Sequence, residues 1–449
     1  MKILLRPFSG HGLFARAMRG SAITAGSYAF AQAMRLASNL ILTRLLFPEA
    51  FGLMALVSVF MVGLTMFSDV GVGPAISQSI RGDDTDFLDT AWTIQVLRGL
   101  ILWLATCALA WPAAQFYQAP DLLHLLPTVG LTLLISGFNP TRIDTANRHL
   151  LLGRVTLLDL ISQIIGIIVM VGLAFAMRSV WALVLGAVVG AFAKLWLTHS
   201  YLPGPANRFR WEARAGHELI HFGKWIFLST ACGFLLSQGD KAILGAYLPL
   251  DQLGIYNIGY FLASFPILLG GAVIGRIMIP LYRDHAPALS AQNFTKLQRL
   301  RFGLSAGMLA LLAVMAFLGI PVIGLLYDDR YIRAGAIVVA IACVQMPMVL
   351  GMTYDQSALA AGDSRNYFLL IAAKATVQTL AFLIGVQMAG LHGALLGQGL
   401  ALAAVHPFII WLAVKHKAWD AKHDAVFGVL TVALIAAAIW LNWDALALL

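Results

Sequence analysis

Charged side chains are scarce in this sequence. Only 11% of the 449 residues are Asp, Glu, Lys or Arg, against about 25% in a typical soluble domain. Hydrophobic residues make up 60% of the chain, and the mean hydropathy is +0.83. So few charges cannot cover a water-exposed surface, which excludes a soluble protein. Apolar runs of about 20 residues, enough to cross a bilayer, recur along the chain and predict an all-α polytopic membrane protein.

Several other features are missing. The three cysteines (Cys107, Cys232 and Cys343) lie far apart inside apolar runs, which excludes a disulfide framework or a cysteine metal site. No Walker A loop, dinucleotide fingerprint or G-x-S-x-G elbow occurs, so we expect no cofactor and no direct coupling to ATP. The basic N-terminus leads straight into a full-length apolar run, so we expect no cleavable signal peptide.

Thirteen apolar segments are candidate membrane spans. We place them at 22–42, 51–68, 92–114, 122–140, 155–176, 179–200, 222–245, 254–280, 302–326, 335–358, 367–388, 391–414 and 424–441. The predicted outer loops are short and hold only four basic residues, which are Arg44, Arg178, Arg330 and Arg333. By the positive-inside rule, this bias places the N-terminus in the cytoplasm. It also explains the net charge of +9 without nucleic acid as a partner.

The same pattern follows span 1 and span 7. LTRLLFPEAFGLMAL and ILGAYLPLDQLGIYNIG each end a helix with Pro48 or Pro249, place an acid within two positions, and then continue with Gly52 or Gly254. Proline stops a helix because it lacks an amide donor, and glycine tolerates the backbone of a tight turn. The repeat predicts two homologous halves, as in two-lobed transporters.

This repeat divides the chain into five parts. We predict a basic cytoplasmic N-terminus (1–21), an N-lobe of spans 1–6 (22–200), a cytoplasmic linker (201–221), a C-lobe of spans 7–12 (222–414), and a basic linker with an additional apolar helix (415–449). The fold-class prediction is therefore two six-helix lobes plus an extra C-terminal helix.

Cations inside the predicted spans are candidates for binding an anion. Arg35 lies about 13 residues into span 1, or roughly 20 Å from the inner surface, which is too deep to reach the headgroups easily. Lys374 lies early in span 11. Arg98, Lys224 and Arg276 lie near the inner ends of their spans, where long side chains can also snorkel to the headgroups. Five cations on the inner halves of their spans predict an inward-open vestibule that attracts an anion such as a diphosphate, and they are Arg98, Lys194, Lys224, Arg276 and Lys374.

Three acids accompany these cations. Asp69 ends span 2, Asp240 lies near the outer end of span 7, and Asp355 lies late in span 10. Each is a candidate for pairing with a cation inside the protein or for carrying a coupling proton or sodium ion, with pairing favoured for Asp240. Asp240 and its neighbour Lys241 need not pair with each other, because adjacent helix residues point about 100° apart.

One string resembles an enzyme motif. His217, Glu218 and His221 match the H-E-x-x-H pattern of zinc proteases. The string lies in the basic lead-in to span 7, and no third ligand follows at the expected spacing. We therefore expect no metal site, and an intramembrane zinc hydrolase remains an alternative of another class.

The runs GSYAFAQAMRLASNLILTRLLFPEAFGLMALVSVF and FGKWIFLSTACGFLLSQGDKAILGAYLPLDQLGIYNIGYFLASFP resemble the openings of the two halves of Wzx-like polysaccharide flippases. These proteins belong to the multidrug/oligosaccharidyl-lipid/polysaccharide (MOP) exporter superfamily, and the resemblance covers roughly residues 20–415. It implies two lobes around a central cleft in the bacterial inner membrane. It also implies alternating-access transport of a glycan on a polyprenyl diphosphate, and not an enzymatic activity.

The resemblance implies partners and a type of site. The partners are the lipid-linked glycan, membrane lipids and a glycan polymerase or export protein. The site is a cationic cavity, for which Arg35, Lys241, Arg276 and Lys374 are the matching residues by type. Three alternatives stay open, which are a lipid II flippase, a cation-coupled drug exporter, and a scaffold that recruits a polymerase without transporting.

Overall fold

The computed structural model describes residues 13–68, 71–149, 151–223 and 227–449. These residues form α-helices and one 3₁₀ turn, with no β-strand among them. Nine helical segments in the described ranges are long and apolar enough to cross a membrane. The bent pair Leu122–Gly137 and Arg142–Arg148 makes a tenth if it is counted as one span. The prediction of an all-α polytopic membrane protein is confirmed.

The chain divides into two compact units between Thr230 and Ala231, near the start of one helix. The helices of unit 1 are α1 (Leu13–Leu45), α2 (Pro48–Phe67), α3 (Val72–Gln78), α4 (Thr85–Phe116), α5 (Leu122–Gly137), α6 (Arg142–Arg148), α7 (Leu152–Met177), α8 (Trp181–Tyr201) and α9 (Ala213–Gly223). The dividing helix is α10 (Phe227–Tyr247). Unit 2 continues with α11 (Leu250–Ala263), α12 (Phe265–Asp284), α13 (Ala291–Leu326), α14 (Ala334–Gln345), α15 (Met348–Gly351), α16 (Asp355–Ala360), α17 (Ser364–Lys415), α18 (Ala421–Leu441) and α19 (Trp443–Ala447).

The repeated proline pattern forms the same kind of connection twice. Pro48 is the first residue of α2, and Pro249 is the N-cap of α11. Just before each proline a leucine amide closes the preceding helix, with Leu46 N donating to Leu42 O and Leu248 N to Leu244 O, both at 2.8 Å. Both new helices begin about one turn before the glycine that was expected to open them. The missing proline amide suits a first helical turn, where amides have no partner inside the helix.

Two predicted spans are broken helices. Span 8 (254–280) consists of α11 and α12, which meet at Ser264, and Pro266 lies in the first turn of α12. Span 10 (335–358) consists of α14, α15 and α16, with the first break next to Pro347. Proline cannot continue the hydrogen-bond ladder of a helix, and neighbouring helices must then satisfy the freed carbonyl groups.

Predicted spans 11 and 12 are the two arms of α17. The helix breaks at Ala389 and at Gly390, whose φ of +56° favours glycine. The arms then pack with almost no side chain between them: a Cβ on Gly385 would overlap the carbonyl of Gly393. Small residues at a crossing let two membrane helices approach backbone to backbone. The two arms therefore form a tight hairpin.

Unit 1 uses small residues in the same way. Helix α7 packs against α8, where a Cβ on Gly166 would lie 3.2 Å from Cα of Gly190, and α4 packs against α5, where Gly99 meets Gly137. Such contacts replace the hydrophobic driving force, which is absent between helices surrounded by lipid.

The predicted linker (201–221) is held against the rest of unit 1 by hydrogen bonds and packing. Arg142 of α6 donates to the carbonyl oxygens of Pro205 at 2.8 Å and Leu202 at 2.9 Å. Arg81 makes two hydrogen bonds to the Glu212 carboxylate, at 2.7 and 2.9 Å, and this guanidinium holds the pKa of Glu212 below its ordinary value. The linker then forms helix α9, whose Leu219 is buried against α3 and α4. The linker residues up to Leu219 are therefore part of the packing of unit 1.

Replacing Gly385 with leucine should disrupt the α17 hairpin. The new side chain would have to displace the Gly393 backbone, so we expect a loss of about 3 kcal/mol in the free energy of unfolding. Thermal unfolding of the purified protein in detergent measures this. Gly172→Leu is the matched control, because a Cβ on Gly172 in α7 meets no atom within 4 Å. Equal Tm values for the two variants would contradict the hairpin packing.

Candidate substrate cavity in unit 2

Unit 2 contains a cavity of about 250 Å³ bordered by α10, α11, α12, the broken segment α14–α16 and both arms of α17. Its polar lining comes from Asp240, Tyr260, Ser264, Gln345, Asp355, Lys374, Gln378 and Gln398. The remaining wall is apolar. Polar side chains inside membrane-spanning helices are costly and usually face a space that holds water or a ligand. This cavity is therefore the candidate site.

Lys374 and Asp355, predicted from the sequence as a substrate cation and a coupling or pairing acid, lie together in this cavity. The Lys374 ammonium donates to Oδ2 of Asp355, and the two side chains are only 16% and 15% exposed. The other carboxylate oxygen, Asp355 Oδ1, is buried and has no hydrogen-bond partner among the described residues. The positive charge of Lys374 is thus neutralised within unit 2, and one acceptor remains open.

Asp240 and Lys241 take different partners, as adjacent helix positions allow. The Tyr256 hydroxyl donates to Oδ2 of Asp240 at 2.8 Å. The Lys241 ammonium lies 5.4 Å from the centre of the Tyr260 ring, a cation–π distance. Only Asp240 of this pair lines the cavity.

Glutamine side chains in the cavity were not among the candidates from the sequence. The amide of Gln345 donates to the Ser264 hydroxyl at 2.9 Å, which leaves Gln345 Oε1 buried without a partner in the described part of the chain. Gln398 Oε1 is in the same situation. The sequence could have pointed to these glutamines, because a polar amide side chain inside an apolar run usually faces the interior of a helix bundle. With Asp355 Oδ1, three side chains that line this cavity each keep a buried oxygen acceptor without a partner among the described residues.

In unit 1, the structure describes two of the predicted cations. Arg98 binds the end of α2, with Nε donating to Ser68 Oγ at 3.0 Å and Nη2 to the carbonyl oxygen of Thr65 at 2.9 Å. Arg35 lies on α1 with an exposed side chain, and it makes no ion pair with any residue that the structure describes.

The remaining candidates cannot be placed in the same detail. Asp69 and Lys224 lie outside the described residues, and so does the side chain of Arg276 on α12. In the string read as a metal motif, His217 is exposed on α9, whereas the side chains of Glu218 and His221 fall outside that part. Within the described ranges, no three His, Cys, Asp or Glu side chains are grouped to hold a metal ion.

The helices and the polar cavity define a multi-pass membrane protein of a transporter fold. The structure of the lipid II flippase MurJ, in an inward closed conformation, matches 93% of this chain and 92% of that chain with a TM-score of 0.70 and 14% identity. A MATE family multidrug resistance transporter of the MOP superfamily, facing inward, matches 86% and 95% with a TM-score of 0.63 and 15% identity. At these identities, the likeness shows the fold alone.

The sequence comparisons identify the family. Residues 41–336 match the family described as polysaccharide biosynthesis protein, and the chain belongs to this family. The resemblance predicted from the two proline connections and their flanking helices is thus confirmed for the family, and the fold is like those of the two transporters above.

Individual relatives are distant. The chain is 22% identical to the teichuronic acid biosynthesis protein TuaB of Bacillus subtilis (strain 168), over 48% of this chain and 44% of that protein. It is 24% identical to the succinoglycan biosynthesis transport protein ExoT of Rhizobium meliloti (strain 1021), over 64% and 60%. The matches thus span about half the length of these relatives. ExoT is a transport protein, which agrees with the expectation of a transporter.

Removing one partner of the cavity ion pair should destabilise the protein more than removing both. Lys374→Met leaves the Asp355 carboxylate buried and unpaired, and Asp355→Asn does the same to the ammonium. Each should cost about 3–5 kcal/mol in the free energy of unfolding, and the double variant should cost less than either. Denaturation of the four proteins in detergent gives the coupling.

The pair Lys194–Asp159 in unit 1 is the matched control. Its side chains are 36% and 45% exposed, so the same substitutions there should cost less than about 1 kcal/mol. Additive losses at Lys374 and Asp355 would show that the two side chains do not depend on each other.

Proposed function

We propose that this chain is a flippase that moves polyprenyl-diphosphate-linked oligosaccharide repeat units across the bacterial inner membrane, for the synthesis of a capsule, exopolysaccharide or O-antigen. The observation that carries the proposal is the combination of family and fold. Two thirds of the chain match a polysaccharide biosynthesis family, and the fold is that of MOP-superfamily transporters. Relatives named for teichuronic acid, amylovoran and succinoglycan biosynthesis support a glycan as the cargo.

Such a substrate has three chemically different parts, and the cavity in unit 2 suits the sugars. Sugar hydroxyls bind well to open carbonyl and carboxylate oxygens, which Gln345, Gln398 and Asp355 provide. The volume of about 250 Å³ lies below the 300–1,000 Å³ range of typical ligand pockets. An oligosaccharide therefore requires the cavity to widen, as alternating access would do.

The diphosphate needs a cation that is not already neutralised. Lys374 is paired with Asp355, and Arg98 is bound to the end of α2. Of the candidates whose side chains are described, Arg35 and Lys241 make no ion pair or hydrogen bond to another described side chain, and Lys241 already lies against the Tyr260 ring. The position of Arg35 on α1 is costly for a charge in lipid, and an anionic headgroup would offset that cost. We therefore assign to Arg35 the role of binding the diphosphate.

The orientation follows from the charge bias. With basic residues concentrated on the side of the N-terminus, the substrate would enter from the cytoplasm and leave on the periplasmic side. A glycan polymerase or export protein would then take up the glycan.

The rival activities differ in their cargo. A lipid II flippase would accept a peptidoglycan precursor, but the likeness to MurJ at 14% identity extends to the fold alone. A cation-coupled drug exporter would bind organic cations through acids, whereas Asp355 is paired with Lys374 and Asp240 accepts from Tyr256. A scaffold would move no lipid.

Transport by the purified protein tests the proposal. Vesicles containing the chain and a fluorescent polyprenyl-diphosphate disaccharide are treated with a membrane-impermeant quencher, which destroys the dye only in the outer leaflet. We expect the protein to make the inner-leaflet dye accessible as well. Arg35→Ala should reduce this rate at least tenfold, because a charge-assisted contact of about 1.5–3 kcal/mol is lost.

Arg333→Ala is the matched control, because it removes one exposed positive charge just before α14. It should transport like the wild type. Unaltered transport by Arg35→Ala would refute the assignment of the diphosphate, and no transport by any of the proteins would favour the scaffold. Preference for a lipid II analogue in competition would favour the peptidoglycan alternative.

A further inference from the structure

A second group of polar side chains lies where α18 packs against the rest of unit 2. Its members come from α12, α13, the residue before α16, α17 and the start of α18, and they are Tyr282, Arg301, Tyr354, His406, Asp420, His423 and Asp424. We call them the α18 cluster. Arg301, Asp420 and His423 are only 1%, 3% and 0% exposed. The proposed transport function uses none of these residues.

At the centre of the α18 cluster, two imidazoles contact one carboxylate. His406 Nε2 lies 3.2 Å from Asp424 Oδ2, and His423 Nδ1 lies 3.0 Å from Oδ1. The Tyr354 hydroxyl and the Trp419 indole donate to the same two oxygens, at 2.8 and 3.0 Å. Each carboxylate oxygen thus has two neighbours able to donate. This is the environment of an ionised carboxylate.

One guanidinium of the α18 cluster lies between Tyr282, Tyr354 and Asp420. Arg301 Nη2 donates to the Tyr282 hydroxyl at 2.8 Å, and the guanidinium carbon lies 4.2 Å from the centre of the Tyr354 ring. Its Nη1 is 3.9 Å from Asp420 Oδ2, beyond hydrogen-bonding distance. Arg301 Nε and Nη1 and Asp420 Oδ2 are buried without hydrogen-bond partners among the described residues. The fixed positive charge of the cluster therefore comes from Arg301 alone, and two of its nitrogen atoms have no hydrogen-bond acceptor among the described residues.

The formal charges of the α18 cluster do not balance when both imidazoles are neutral. Arg301 contributes one positive charge, and Asp420 and Asp424 contribute two negative charges. Both acids lie at the N-terminus of α18, whose dipole offsets only about half an elementary charge. A net charge buried away from water is strongly unfavourable. One proton on an imidazole removes the imbalance.

Other charged side chains on the neighbouring elements do not supply this compensation, because they are paired elsewhere or, like Lys417 just before α18, exposed. On the neighbouring helices, Asp355 pairs with Lys374, Arg283 with Asp284, and both Lys415 and His416 with Asp363. Lys422, on α18 itself, is exposed.

We propose that the α18 cluster is a proton-binding site, in which His406 and His423 share one proton that fastens α18 to α13 and α17. The ligand is the proton itself, which turns an imidazole–Asp424 hydrogen bond into an ion pair. His423 is the better placed of the two histidines, because its Nε2 faces Ser305 Oγ, whereas His406 Nδ1 is buried without a partner among the described residues. His423 also reaches α13 through Ser305 Oγ at 2.9 Å, so the proton acts on two helices at once. Tyr354 belongs to the cluster and the next residue, Asp355, lines the cavity, so the cluster adjoins the candidate site.

The bound proton makes the stability of the folded protein depend on pH. If the folded protein holds a proton that the unfolded chain releases near neutral pH, stability falls as the pH rises. We expect the Tm of the full-length protein in detergent to fall by roughly 4 °C between about pH 6 and pH 8.5 because of this cluster.

Two variants isolate the cluster. His406→Gln/His423→Gln keeps amide donors towards Asp424 but cannot hold the proton, so its Tm should be nearly the same at both pH values. Asp420→Asn leaves one carboxylate balanced by Arg301, so it needs no proton. Its Tm at the higher pH should exceed that of the wild type, and its pH dependence should shrink. His124→Gln is the control, since this exposed histidine lies in unit 1.

The outcomes are distinct. A flat profile for the double variant and a reduced one for Asp420→Asn, with the wild-type fall in His124→Gln, support the proton-binding site. A wild-type fall that persists at full size in both cluster variants overturns it, as does a wild-type Tm that is equal at both pH values. If the double variant does not fold, Asp420→Asn alone decides the question by the same criterion.

Discussion

The cost of holding an ionised side chain away from water governs the interior of unit 2. Two acids of that interior have a partner from another helix: Asp355 is paired with Lys374 of α17, and Asp424 contacts His406 of α17. Such pairing keeps charges tolerable in a low-dielectric interior, although it does not make them a large source of stability. It also determines which groups stay available for chemistry, because a neutralised cation no longer attracts an anion.

Most of the helices could be predicted from the sequence, because hydropathy and proline act locally. All thirteen predicted spans fall on helices in the described residues, and both proline connections occur where the repeat placed them. The breaks at Ser264 and Pro347 and the burial of the linker were harder to predict. They depend on tertiary partners, such as the α6 arginine that binds the linker, Arg142. The division into six-helix lobes remains a prediction.

The candidate site was predicted only in part, and the reason is physical. Depth along a span identified Lys374 and Asp355 as unusual, but depth cannot tell whether two such residues meet. Whether they meet depends on how the broken segment α14–α16 lies against α17. The glutamines of the cavity carry no formal charge, so a search for charges passed over them. Arg301 was not among the candidates from the sequence, yet it is one of the largest fully buried side chains among the described residues.

The glycine contacts of α17 have a mechanical consequence. Lys374 and Gln378 line the cavity from one arm, and Gln398 and Leu402 line it from the other. Because the two arms of α17 touch through their backbones, they cannot rotate or separate without losing that contact. We therefore expect them to move as one rigid unit. Any widening of the cavity would therefore come from its other walls. Among these, α14, α15 and α16 are already short helices joined at breaks, so they are the part of the lining that can shift with the least loss of helical hydrogen bonds.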